Sequence, residues 1–130
     1  MKVILTLALI AGFEVFNINT NFSGTWNKSK PGSAFTLHLH QSGSNITGSH
    51  VSVQKNGDRI DSGFDSADVT ITGTINSSSK IATVTFKSGY CNKKGIATIR
   101  RINANQIVWK IKNPPPGEYY IPNIDTLTKQ

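Results

Sequence analysis

Phe22-Ser23-Gly24-Thr25-Trp26-Asn27 is the stretch from which the fold is read. A glycine followed closely by a large aromatic suits a crowded place where one backbone approaches another: the glycine leaves room and the indole fills it. Everything downstream is a succession of short runs and polar turns without a helical period, so this segment reads as the first strand of a single β-sheet that later closes. Trp26 is its expected packing anchor, and burial alone accounts for such a residue in an all-β domain.

Working outward, Lys28 to Ser33 is a turn around Pro31-Gly32, a strong breaker. Ala34 to Gln41 then alternates, with Phe35, Leu37 and Leu39 on one face and Thr36, His38 and His40 on the other. Ser42-Gly43-Ser44 turns into Asn45 to Val53. The stretch from Gln54 to Asp68 is the longest irregular segment, and a loop of that length in a compact domain is often a lid or binding loop. Val69 to Ile75, Ile81 to Ser88, Gly95 to Ile102 and Gln106 to Lys112 continue the alternation, the last with Ile107, Trp109 and Ile111 inward. Pro114-Pro115-Pro116-Gly117 ends that strand, and Tyr119 to Lys129 is the final one, interrupted at Pro122. Short strands at regular spacing joined mainly by hairpins predict an all-β chain, an eight-stranded antiparallel up-and-down β-barrel. Such a barrel is just wide enough to be filled by side chains or to hold one small ligand.

The 130 residues suffice for one domain with its own core. The formal net charge of +7 is unevenly placed. No acid lies between Val69 and Gly117, where Lys80, Lys87, Lys93, Lys94, Arg100, Arg101, Lys110 and Lys112 fall, and the acids gather in Asp58, Asp61, Asp65 and Asp68. A basic half can attract nucleic acid or an anionic surface. The charges are spread over several strands with no aromatic interleaving, so a solvated outer face is expected and nucleic acid is not. The four aspartates lack the spacing of a calcium loop. His38 and His40 have the spacing of two zinc ligands but no third, so no metal is expected. Cys91 has no partner for a bridge and no neighbouring His or acid to make it a nucleophile. No cofactor motif stands out.

Met1-Lys2 and the apolar run Val3 to Gly12 have the charge and length of a signal peptide, too short to span a bilayer. Residues 1–20 are therefore expected to be a signal peptide or N-terminal extension, 21–130 the barrel, and the protein secreted or periplasmic. The alternative is that residues 3–16 form a buried element of the mature fold.

Gly24-Thr25-Trp26-Asn27, Gly32-Ser33, Ile46-Thr47-Gly48, Val84-Thr85-Phe86-Lys87 with Tyr90, Trp109 and Asp125-Thr126-Leu127-Thr128-Lys129 follow in order the landmarks of a known group. From about Phe22 to Lys129 the chain resembles the avidin and streptavidin family of calycin barrels; lipocalins carry a similar first-strand Gly-x-Trp. The resemblance implies a biotin site. Asn27 and Ser33 would bind the ureido oxygen, with His50 in place of the family's tyrosine. Ser52 and Asp125 would bond the two ureido nitrogens, Phe86 and Trp109 would pack on the ring system, and Thr98 would lie near the valerate tail. It also implies a homo-oligomer, because a neighbouring subunit lends the family a tryptophan, of which Tyr119 or Tyr120 is the nearest counterpart here. Phe86 for Trp and His50 for Tyr remove aromatic area and a donor, so weak biotin binding or a different small ligand is expected.

Three classes of function stand beside one another. The first is an exported barrel binding a small molecule, biotin being the most concrete. The second is a protein-interaction or protease-inhibitor barrel with no small ligand, using the basic face and the loop from Gln54 to Asp68. The third, an enzyme, is not expected: no Ser-His-Asp order, Cys-His couple or phosphate loop stands out, and His38, His40 and His50 have no evident partner acid.

Overall fold

A computed structural model describes residues 21–130 except 66, 77 and 79. The strands are β1 (Gly24–Lys30), β2 (Ser33–Ser42), β3 (Asn45–Gln54), β4 (Arg59–Ser62), β5 (Ile71–Ile75), β6 (Ile81–Lys87), β7 (Lys94–Asn103), β8 (Gln106–Asn113) and β9 (Ile124–Lys129), with one 3-10 turn at Lys55–Gly57. All pairings are antiparallel, and β1 bonds both β2 and β9, so the sheet closes on itself. β4 pairs with the end of β3 and β5 with its beginning, so these two short strands make one stave, and Thr70, buried, bonds Gly48 and Lys87 through its backbone just ahead of β5. Among the described residues nine strands thus form the eight-stranded closed barrel that alternation predicts. The signal-peptide expectation falls on residues 1–20, outside the described residues.

Three boundaries differ from the sequence reading, each for a physical reason. β1 runs on to Lys30 because Pro31-Gly32 alone makes the turn, with Gly32 at φ 82°, a conformation costly for a residue with a Cβ. β4 sits inside the segment expected to be irregular, held there by the buried Asp61. The last strand begins only at Ile124, because Pro114, Pro115, Pro116 and Pro122 offer no ladder N–H. Residues 114–123 instead cross the open end of the barrel.

The core follows the alternation. Trp26, Phe35, Leu37, Ile46, Ile71, Val84, Phe86, Ala97, Ile99, Ile107, Trp109 and Leu127 are all buried inside. Phe35 and Phe86 meet Trp109 edge to face at centroid distances of 5.4 and 5.2 Å, the preferred aromatic geometry. One end of the barrel is sealed by Phe22. Its carbonyl accepts the Trp26 indole N–H at 2.9 Å, its N–H bonds Gln41 Oε1 at 2.8 Å, and the Arg101 guanidinium lies 5.8 Å from its ring. The guanidinium also donates to the Asn21 carbonyl. Lys129, on the last strand, places its ammonium 5.6 Å from the Trp26 ring, so Trp26 is the anchor its sequence suggests.

Candidate functional site

The opposite end, where β1 meets β2 and β8 runs towards β9, is the mouth. Residues 114–123 bridge it: Ile121 is buried in the core, and the Pro122 carbonyl accepts the Trp109 indole N–H at 2.8 Å. The Tyr120 backbone is held twice, its carbonyl by Ser52 Oγ at 2.6 Å and its N–H by Asp61 Oδ2 at 3.0 Å. Asp61 is the centre of this arrangement. Fully buried, it also accepts from Ser88 Oγ at 2.6 Å and the Gly89 N–H at 2.9 Å, and pairs with His50 Nε2 at 3.0 Å. His50 Nδ1 stands 2.8 Å from Thr70 Oγ1, so the network joins β3, β4, the residue preceding β5, the β6–β7 turn and the mouth loop.

Burial is the largest influence on the Asp61 carboxyl and pushes its pKa up, but the hydrogen bonds from His50, Ser88, Tyr120 and Gly89 together outweigh it and hold the group below its ordinary value. The arrangement is not that of a nucleophilic triad. Ser88 bonds the acid rather than the imidazole, and no buried side-chain polar atom among the described residues lacks a partner. The expectation that His50 has no partner acid is therefore corrected: Asp61 is that acid, eleven residues away and on the adjacent strand.

The eight residues implied by the biotin resemblance fall into three places. His50, Ser52, Phe86 and Trp109 lie inside, but the first two are engaged with Asp61, Thr70 and Tyr120, and the two aromatics pack against one another. Asn27 and Thr98 sit one position off the inward residues Trp26, Ala97 and Ile99 and so face outward. Asn27 donates to Thr36 Oγ1 at 2.7 Å, and Thr98 stands opposite Lys110. Ser33 and Asp125 do come together, in a recess of about 250 Å3 at the mouth, whose floor is Phe35 and whose wall includes Pro122.

The same recess gathers Lys28, Lys30 and Lys55 with Gln54, none of which the resemblance implied. Lys28 follows Trp26 by two residues, so β1 points it to the same side at the rim. Lys55 and Asn56 both have positive φ, 53° and 56°, and the Asn56 N–H bonds the Gly32 carbonyl at 3.0 Å, tying the β3–β4 turn to the β1–β2 turn. That bond keeps Lys55 over the Tyr120 ring at 5.4 Å. No ion pair joins Lys28, Lys30 or Lys55 to an acid among the described residues.

A larger, open cleft of about 790 Å3 lies on the flank where β4 and the β6–β7 turn part, lined by Ile60, Phe64, Val69, Thr70, Lys87 and Tyr90 among others. Its rim exposes Ile60, Phe64, Val69 and Tyr90. No described group of His, Cys, Asp or Glu has the arrangement of a metal site. Among the described residues no helix is long and apolar enough to cross a membrane. Comparison with protein-family models, with curated proteins and with solved structures finds no match, so the closed eight-stranded barrel is the level at which the chain's likeness to calycins stands.

Proposed function

We propose that the protein is an exported, non-catalytic barrel that binds a small carboxylate-bearing molecule at its mouth, biotin being the concrete candidate. One observation carries this: Lys28, Lys30 and Lys55, none of them in an ion pair among the described residues, converge on a recess that also holds Ser33, Gln54 and a single acid, Asp125. Three cations favour an anionic group at the rim. The hydroxyl and the amide each supply a donor and an acceptor, and the Asp125 carboxylate an acceptor, for a polar head such as a cyclic urea. The ligand lies against the mouth rather than along the barrel axis, because Phe35, Phe86, Trp109 and Ile121 occupy the axis. Phe86 and Trp109 then act as the floor's support, not as walls in contact with the ligand.

The test is thermal unfolding and Trp109 fluorescence in the presence of biotin or biotin methyl ester. Ligand at 100 times its Kd stabilises the folded state by about 2.7 kcal/mol. A rise in melting temperature with biotin, lost with the ester and with Lys28→Gln/Lys30→Gln, is expected; no rise at millimolar biotin overturns the proposal. A second reading, a barrel that contacts another protein, is favoured by Phe64, which is fully exposed at 104% beside Ile60, Val69 and Tyr90. Under it, Phe64→Ser abolishes partner capture and leaves the biotin response untouched.

A further inference from the structure

The outer face of β6, β7 and β8 is a separate surface. The alternation that turns Ala82, Val84, Phe86, Ala97, Ile99 and Trp109 inward turns Lys87, Lys94, Arg100 and Lys110 outward, and all four are exposed. Lys87 and Lys94 stand directly opposite one another in the ladder, and like charges so placed destabilise a sheet. No acid occurs on β6, β7 or β8 to offset that repulsion within the ladder, and Asp68, which lines the flank cleft with Lys87, lies outside these strands. Arg100 lies six residues along β7 from Lys94, and Lys110 lies on the neighbouring strand opposite Thr98. With about 3.3 Å per residue and about 4.8 Å between strands, the patch measures roughly 20 Å by 10 Å. The charges form two pairs, Lys87 with Lys94 and Arg100 with Lys110, each spaced at or within about a Debye length of 8 Å at physiological salt, and the pairs lie about 14 Å apart, a spacing that an extended polyanionic surface can meet at both.

We propose that this face docks on the surface of an anionic phospholipid bilayer. The charge selects a polyanion, and the side chains between the charges select a lipid surface. Ile96, two residues from Lys94, and Ile102, two residues from Arg100, are exposed on β7 at 36% and 47%. Branched aliphatics set among lysine stems suit the headgroup boundary, where the stems lie on apolar surface and the ammonium tips reach phosphate. The outward positions of these three strands carry no aromatic ring on which a base stacks, the feature that a single-stranded nucleic-acid platform needs.

Each basic residue near such a surface contributes about 1 kcal/mol, about fivefold in partitioning. The full protein is therefore sedimented with vesicles of phosphatidylcholine alone or with about one third phosphatidylserine, at low and at high salt. Binding to the anionic vesicles only, lost at high salt and weakened on the order of 100-fold by Lys87→Gln/Lys94→Gln/Lys110→Gln, is expected. The three positions are outward and exposed, so the variant folds, and removal of the Lys87–Lys94 repulsion keeps or raises its melting temperature. Lys28→Gln/Lys30→Gln/Lys55→Gln removes the same charge at the mouth and retains vesicle binding. Equal loss in both triple variants means that net charge, not this face, is responsible, and overturns the proposal. So does binding to neutral vesicles, or binding to a DNA duplex without binding to anionic vesicles.

Discussion

Replacing Asp61 with asparagine tests whether the buried network holds the mouth together. The carboxylate takes four bonds: His50 Nε2 and the Gly89 N–H on one oxygen, Ser88 Oγ and the Tyr120 N–H on the other. Asparagine keeps one oxygen and replaces the second with a donor. Whichever way it sits, either the Gly89 or the Tyr120 N–H faces that donor, since the imidazole and the hydroxyl can turn to accept but a backbone amide cannot. A buried backbone donor is then orphaned, at about 1–3 kcal/mol, and the remaining bonds lose the strength that the charge gave them, about 1 kcal/mol or more. The expected loss is about 3–5 kcal/mol, in line with broken buried charge networks and a large part of the roughly 5–15 kcal/mol of a typical domain. At about 4 °C per kcal/mol the melting temperature falls by about 12–20 °C. Urea unfolding followed by tryptophan fluorescence at neutral pH, with an unchanged m-value, gives the free energy directly. The same carboxylate sets the acid limb of stability. Its folded pKa lies below its ordinary value, so its contribution is present in full above the unfolded pKa and is lost as pH falls through the folded one. Wild type therefore loses stability more steeply than Asp61→Asn on acidification below about pH 4. A neutral-pH loss under about 1 kcal/mol, or parallel acid limbs, refutes the role given to Asp61.

Two further substitutions address the barrel wall and the mouth. Gly73→Ala places a Cβ 2.1 Å from the Thr83 carbonyl oxygen and 2.6 Å from Val84 Cα, both backbone, so β5 and β6 must part; a loss above about 2 kcal/mol by chemical denaturation is expected. Lys55→Gly relieves the positive φ of 53°, raising stability by about 0.5–1 kcal/mol in the same assay, while removing a cation from the recess and weakening ligand binding severalfold.

The strand pattern was legible because burial inside a closed sheet imposes a period of two. Phe35, Leu37 and Leu39, or Ile107, Trp109 and Ile111, announce their face from three residues, and the structure keeps them there. β4 escaped because only four residues pair, and its inward member is an aspartate, which no hydrophobic pattern marks. Tyr119 to Asn123 read as strand because tyrosine and isoleucine favour extended chain, yet Pro122 and the pull of Asp61 and Ser52 on Tyr120 bend the segment across the mouth.

By itself the sequence determined an all-β chain with a Trp26 anchor, an acid-free basic half and the faces of most strands, since these follow from alternation, turn chemistry and counting. Only the tertiary structure decided which polar residues meet. Whether His50 faces a ligand or Asp61, whether Asn27 turns in or out, and whether Lys28, Lys30 and Lys55 share one recess with Ser33 and Asp125 depend on strand register and on loop closure. Those are set by contacts between residues tens of positions apart, and a one-residue slip in register exchanges the inner and outer faces of a strand.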